Sequence, residues 1–308
     1  MHEEAAAIWQ KLKALPKPTL AQLFAADAAR VEKLSTRLEL GVADSGGIRF
    51  DWSKTHLDAA HLAEFEALAG AMDFAGRRDA LLAGERVNIT EGRAAEHTAQ
   101  RGIGRDTSVE EAAALHLRMA GLVSAIHGGV LGEIKHLIHI GIGGSALGPA
   151  LAIDALTRDG AVVDVHVVSN IDGCALEAAF AACDPATTLV AVASKTFTTI
   201  ETMTNAASAL AWLAENGVDD AYGRVIALTA APEKAVEWGV DETRVLPFPE
   251  SVGGRYSLWS SIGFPVALAI GNDGFASFLA GAAAVDRHFA EAEGADNLCL
   301  RAAFADQF

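Results

Sequence analysis

The chain has 308 residues, 51% of them hydrophobic and 21% charged, with a formal net charge of −16; its pI is near 5.0 and its mean hydropathy +0.24. A chain of this size buries roughly three quarters of its unfolded surface, as one large domain or two smaller ones. The acidic balance argues against a nucleic-acid partner, which would need lysine and arginine against phosphates, and the scattered charges leave no apolar stretch expected to reach the ~20 residues of a membrane span.

The start, Met1-His-Glu-Glu-Ala5, lacks the basic end, apolar centre and cleavage pattern of a secretory signal, so a cytoplasmic location is expected. Cys174, Cys183 and Cys299 form no CxxC pair, which indicates neither a disulfide framework nor a structural zinc site. A small anionic ligand needs a local positive pocket on so acidic a chain, and basic residues beside glycine loops or strand ends gain weight accordingly.

From Glu3 to about Leu40 the apolar spacing is helical, with Pro16 and Pro18 dividing the run into two helices. Asp44-Ser-Gly-Gly47 reads as a turn and Ile48–Ser53 as a short alternating strand, an arm or a small hairpin. Helical spacing returns from about Leu57 to Leu82, interrupted near Gly70. The polar stretch Gly84–Arg101 comes next, where Thr90 is positioned to cap a helix placing Arg93 and His97 on one face. An alanine- and leucine-rich helix is expected from Ser108 to about Ile126.

Beyond Gly128 the pattern changes. Apolar runs at Leu137–Ile140, Val162–Val168, Leu189–Ala193, Val225–Thr229 and Val245–Phe248 alternate with helical stretches. Continuous apolar strands separated by helices predict a five-stranded parallel sheet covered on both faces, with ligands at the carboxyl ends of the strands. After it come a helix from Ser261 to about Ile270, another over Gly274–Ala292, and a further start at Asp296-Asn297. That last helix meets Phe308 with neither capping glycine nor polar tail, so the chain reads as cut rather than finished.

Three loops carry candidate chemistry. Gly141-Ile-Gly-Gly-Ser-Ala-Leu-Gly148 follows the first of these strands and opens a helix, aiming backbone N–H groups and the positive end of the dipole at one point suited to an anion. Gly144 lets the backbone approach closely and Ser145 adds a hydroxyl. Ala193-Ser-Lys-Thr-Phe-Thr-Thr-Ile-Glu-Thr202 follows the third strand; one cap needs one hydroxyl, yet Ser194, Thr196, Thr198 and Thr199 cluster here with Lys195, which favours a phosphate over simple capping. Gly253-Gly254-Arg255 follows the fifth strand, and Arg255 either reaches a substrate oxygen with its rigid fork of donors or pairs with an acid such as Glu250. The spacing Gly141-Ile-Gly143-Gly-Ser-Ala146 also fits a dinucleotide fingerprint with alanine at its third position, a weaker alternative because Asp164 lies inside the second strand rather than at its end.

Together Ile140–Pro149, Ser194-Lys-Thr-Phe-Thr-Thr-Ile-Glu-Thr-Met-Thr-Asn205 and Gly253-Gly-Arg-Tyr-Ser-Leu-Trp-Ser260 resemble glucose-6-phosphate isomerase, as do Asn88-Ile-Thr-Glu-Gly-Arg93 and Phe50-Asp-Trp-Ser-Lys54. The resemblance covers most of the chain in the family's order. It implies an α/β sugar-isomerase (SIS) domain that interconverts glucose 6-phosphate and fructose 6-phosphate without metal or organic cofactor. It places phosphate binding on Ser145, Ser194, Thr196 and Thr199 with Lys195 and Gly144 beside them, and enediolate stabilisation on Arg255 next to Gly254. Ala146 and Ile200 stand where many members have aspartate and glutamine. The family's catalytic glutamate, ring-opening histidine and C-terminal lysine all lie downstream of Gly253–Ser260, in segments outside this chain, while Asp286, His288, Glu291 and Glu293 read as a solvated helix face. The division expected is a mainly helical region over 1–120, the SIS domain over 121–260, and over 261–308 the helical start of a truncated second half. The partners expected are sugar phosphates and, in the full-length protein, a second copy forming a homodimer. The other reading is a non-catalytic SIS module that senses sugar phosphates.

Overall fold

A computed structural model describes residues 3–41 and 46–307. By compactness the chain divides into two units, residues 1–94 with 280–308 and residues 95–279. The sequence places divisions at 120 and 260 instead. Residues 95–120 group with the sheet because their helix lays Met119, Val123 and Ile126 on the sheet's core, and residues 261–279 group with it because Phe264, Val266, Leu268 and Phe275 do the same.

The first unit begins with α1 (Glu3–Ala14), α2 (Leu20–Ala26) and the single turn α3 (Arg30–Lys33). Pro16 and Pro18 end α1, and Thr19 opens α2 through a capping box with Gln22. Strands β1 (Ser35–Leu38) and β2 (Ile48–Asp51) then form an antiparallel hairpin, Leu38 opposite Ile48. The expected helical pattern to Leu40 therefore gives way at Ser35, and of the turn Asp44–Gly47 the first two residues lie outside the described residues. Buried Arg30 anchors the segment after β2, donating to the carbonyls of Ser53 (2.7 Å), Thr55 (2.7 Å) and Leu57 (2.9 Å). Helices α4 (Ala59–Ala71) and α5 (Phe74–Leu82) meet at Asp73, whose left-handed conformation and side-chain cap on Gly76 N–H turn the chain. Phe65 stacks on Phe304, 4.8 Å between centroids, in a core shared with Leu12, Leu57 and Leu300. Residues 88–93 close a bridged turn between Asn88 and Arg93, so the expected helix carrying Arg93 and His97 on one face does not form.

In the second unit a 3₁₀ turn over His97–Arg101 leads to α6 (Asp106–His127). Strands and helices then alternate in the order β3 (His136–Gly141), α7 (Gly144–Leu156), β4 (Asp164–Val168), α8 (Gly173–Ala182), β5 (Thr188–Ala193), α9 (Ile200–Glu215), β6 (Val225–Thr229), α10 (Pro232–Trp238) and β7 (Val245–Pro247). All five strands are parallel, in the order β4-β3-β5-β6-β7. Their residues are buried alternately into two cores. Leu137, Leu189, Ala191, Ile226 and Leu228 face α6, α7 and the next helix α11 (Phe264–Glu291), whereas Ile138, Ile140, Val190, Val192 and Ala227 face α8, α9 and α10. Apolar residues at consecutive positions are what a sheet covered on both faces requires. The chain steps from β3 out to β4 and back to β5 on β3's other side, so the order reverses around β3. Right-handed crossovers then put α7 on one face and α8 to α10 on the other, opening a crevice at the strand ends.

Helix α11 is interrupted at Gly271 (φ 79°, ψ 165°), which divides the two helices expected there, and α12 (Leu298–Gln307) ends the described chain. Contrary to the expectation that no apolar stretch reaches membrane length, residues 261–291 are long and apolar enough by length and composition alone, with half of the apolar window buried. Its apolar side chains Phe264, Val266, Leu268 and Phe275 pack into the sheet core, as in the core helix of a globular fold.

Candidate functional site

The glycine loop leaves β3 at Gly141, which lies in register with Ala193 of the neighbouring β5, so the first and second loops start from adjacent strand ends. Gly143 takes φ 57°, ψ −118°, a conformation glycine adopts without strain, and the turn delivers Gly144 and Ser145 into the first turn of α7. Beneath it His139, fully buried, donates from Nε2 to the Ser145 carbonyl at 2.8 Å. Burial holds this imidazole down at about 4, outweighing the pull of that hydrogen bond, so the ring is a neutral pin at ordinary pH.

The third loop reaches the first by direct backbone contact. A Cβ placed on Gly144 would lie 2.5 Å from the carbonyl carbon of Gly254 and 2.7 Å from its Cα, so no other residue fits there. Gly254 itself has φ 66°. The Ser257 hydroxyl lies within 2.8 Å of the Gly254 carbonyl and 3.4 Å of the Gly144 carbonyl, tying the two loops at their closest point. Two further contacts brace the loop from residues 95–108. His97 Nε2 stands 2.9 Å from the Gly253 carbonyl and 3.1 Å from its N–H, serving one or the other according to tautomer. The Glu96 N–H donates to the Ser251 carbonyl, while the buried Glu96 carboxylate accepts from Ser108 Oγ at 2.6 Å and pairs with Arg105. Arg255 is exposed, lies over the Tyr256 ring at 5.8 Å, and makes no ion pair among the described residues. Pairing with Glu250 is thus not what holds it; the Glu250 carbonyl instead accepts from Lys195 Nζ at 2.8 Å, which links the second loop to the segment leading into the third.

The second loop is built under strain. Phe197 is a non-glycine residue at φ 53°, a left-handed conformation costing about 1–3 kcal/mol and retained where the surroundings over-determine it. Here they do: the ring is buried against Trp238, 5.8 Å between centroids. The Lys195 carbonyl accepts from Ala230 N–H and Thr229 Oγ1, and Ser194 N–H donates to the Leu228 carbonyl, fastening the loop to the end of β6. Its hydroxyls pair internally, Ser194 with Thr199 at 3.0 Å and Thr196 with Thr198 at 2.8 Å. Thr196 is exposed, Lys195 and Thr199 half-buried and Ser194 buried. Gly144 and Gly254 thus meet directly, with Ser145 and Arg255 the residues that follow them in the chain, and Ser194, Lys195, Thr196 and Thr199 stand beyond the adjoining strand end. His139 went unmarked in the sequence, although a histidine inside an otherwise apolar strand was a signal for it, and His97 was singled out there only as the helix-face partner of Arg93, not as a brace for the third loop.

Residues 51–308 match the family model described as phosphoglucose isomerase. The chain belongs to that family. It is 72% identical over 305 residues to the glucose-6-phosphate isomerase of Novosphingobium aromaticivorans, covering 99% of this chain and 59% of that relative, and 56% identical to that of Zymomonas mobilis, covering 98% and 58%. A crystal structure of a glucose-6-phosphate isomerase from Chlamydia trachomatis superposes with a TM-score of 0.83 over 99% of this chain and 59% of that one, at 24% identity, a likeness of fold. The chain spans about three fifths of the length of these relatives.

Proposed function

We propose that residues 1–308 form the phosphate-holding portion of an aldose–ketose isomerase that interconverts glucose 6-phosphate and fructose 6-phosphate through an enediolate. The names of the curated relatives support the reaction. The observation that supports the assignment of the site is the Gly144–Gly254 contact, which brings the helix N-terminus that carries Ser145 against the glycine that precedes Arg255. In this reading the N–H groups at the start of α7, the hydroxyls of Ser145, Ser194, Thr196 and Thr199, and the Lys195 ammonium hold the phosphate monoester. Moving a proton between adjacent carbons builds negative charge on an oxygen, and the Arg255 guanidinium meets it. No metal or organic cofactor enters the reaction as the family resemblance implies it.

The base, the ring-opening histidine and a terminal lysine come in this reading from parts of the relatives that residues 1–308 do not span. Two of the acid–base groups of 280–308 have other work: His288 Nε2 accepts from Leu298 N–H at 3.0 Å, and Glu293 pairs with Arg78 at 2.9 Å. We place the reaction in the cytoplasm and the complete protein in a homodimer.

The test is titration calorimetry with 6-phosphogluconate on the chain and on its Ser194→Ala/Thr196→Ala double variant. Removing two donors to a doubly charged phosphate is expected to weaken binding by about 100-fold or more, each hydrogen bond to a charged group being worth about 1.5–3 kcal/mol net. Unchanged affinity overturns the phosphate assignment.

A further inference from the structure

The end of the sheet away from the glycine loop holds a second group of polar side chains. His136 is the first residue of β3, about five residues and thus roughly 16 Å of strand from Gly141. In the parallel register Asp164 stands opposite His136 and His166 opposite Ile138. Side chains in register share a face, and Ile138 belongs to the core under α8, so His136, Asp164 and His166 all point to the side that α8 covers. Cys183 caps the C-terminus of α8 and packs on that same core.

We propose that His136, His166 and Cys183 form a binding site for a thiophilic divalent transition metal, Zn²⁺ by preference, bridging β3, β4 and the end of α8. One donor atom from each of the three residues lies within 4.8 Å of the other two. A tetrahedral zinc with bonds of about 2.0–2.3 Å spaces its ligands by roughly 3.5 Å, a gap small side-chain rotations close. His136 Nδ1 and His166 Nε2 are both buried, and neither has a hydrogen-bond partner. Buried ring nitrogens are costly to leave unmatched, and a metal is one partner that matches both at once. Two imidazoles and one thiolate are a donor set suited to zinc, with a fourth position for water.

The neutral imidazole favours this chemistry, whereas the thiol must first give up its proton. Burial and the neighbouring His136 ring lower the His166 pKa, against the pull of Asp164, so the ring offers a lone pair at neutral pH. Burial pushes the Cys183 thiol up to about 11, the charge of Asp164 adding to the rise and a hydrogen bond with Thr188 opposing it. Binding therefore moves one proton: the thiol S–H breaks, the metal–sulfur bond forms, the proton leaves to solvent, and no electrons are transferred. The resulting site carries one net positive charge, which Asp164 stands close enough to offset. Affinity must rise with pH for the same reason.

The experiment titrates the chelator-treated 308-residue chain with Zn²⁺ against a chromophoric chelator and with Co²⁺ by absorbance. The expected result is one equivalent bound, a thiolate-to-cobalt charge-transfer band, and zinc protection of Cys183 from alkylation by peptide mass spectrometry. Cys183→Ser should abolish the band and His166→Gln weaken Zn²⁺ binding by about tenfold or more, with Cys174→Ser and Cys299→Ser leaving both intact. A wild-type chain with no charge-transfer band at one equivalent overturns the proposal, as does a band that survives Cys183→Ser. Equal alkylation of Cys183 with and without zinc also overturns it, and that readout needs no variant to fold.

Discussion

Replacing Gly144 by alanine tests whether the first and third loops depend on their contact. The added Cβ would sit 2.5 Å from the Gly254 carbonyl carbon, 2.6 Å from its oxygen and 2.7 Å from its Cα. Carbon atoms rest about 3.5–4.0 Å apart, so the overlap is roughly 1 Å and falls on backbone, which has no rotamer by which to escape. Overpacking of that kind costs about 1–3 kcal/mol, and the loops must part by a comparable distance. Displacing catalytic groups by about 1 Å costs on the order of 100-fold in rate. Urea unfolding of Gly144→Ala should therefore show a loss of about 1–3 kcal/mol, and calorimetry at least a roughly tenfold loss of 6-phosphogluconate affinity. Two neighbours calibrate the result. At Gly148 the Cβ would meet Leu258 Cβ at 2.9 Å and the Arg255 carbonyl at 3.1 Å, a milder clash partly against a side chain. Gly143 has open space around it but φ 57°, so alanine there meets strain without collision. A Gly144→Ala chain whose stability stays within about 0.5 kcal/mol of the parent, the range of neutral surface changes, and which binds ligand as before would refute the reasoning.

Acid should destabilise the second unit through His139. Its pKa falls from 6.5 in the unfolded chain to about 4 when buried, so the unfolded state binds the proton more readily. Stability is full above pH 6.5, falls as pH drops from 6.5 toward 4, and is lower by up to about 3 kcal/mol below that window. Urea midpoints measured across pH 7 to 4 should steepen accordingly, and His139→Gln should flatten the profile; an equal slope in that variant refutes the assignment. In an assay coupling glucose 6-phosphate to NADP reduction, residues 1–308 alone should isomerise fructose 6-phosphate negligibly. Turnover within about tenfold of a complete relative would mean that these residues already include the base.

The parallel sheet was legible because burial on both faces leaves a local trace. Each strand reads as a short apolar run, and the five runs fall on β3 to β7 with shifts of at most two residues at either end. The largest shift, at β4, has a visible cause: Val162 donates its N–H to the Ala269 carbonyl instead of joining the ladder, so the strand starts at Asp164. The N-terminal hairpin was half legible. Ile48–Asp51 alternates and lies among turn residues, whereas Ser35–Leu38 continues a helical spacing and becomes a strand only through its pairing with β2. Long-range pairing overrode local pattern there. The helix expected to carry Arg93 and His97 failed for the opposite reason, since Asn88 bonds its own neighbours, accepting from Glu91 N–H and Thr90 Oγ1 and competing with helix formation.

The site shows the same division between local and distant causes. Residue types at strand ends pointed to the groups proposed to hold an anion, because a glycine turn, a cluster of hydroxyls and an arginine each suggest their chemistry where they stand. What assembles them is spread along the chain: Gly144 touches Gly254, Lys195 reaches Glu250, and His97 braces Gly253. None of these pairs has a spacing rule, and each partner alone has an ordinary explanation. The same holds for His136, His166 and Cys183, which no metal-binding spacing would select and which only the β3–β4 register and the end of α8 bring together. The order reversal around β3 links the two ends of the sheet. It opens the carboxyl-end crevice for the three loops, and it sends α8 from β4 across to β5, which lands its C-terminal cysteine on the amino-end histidines. One topological step therefore positions both the candidate sugar-phosphate site and the proposed metal site.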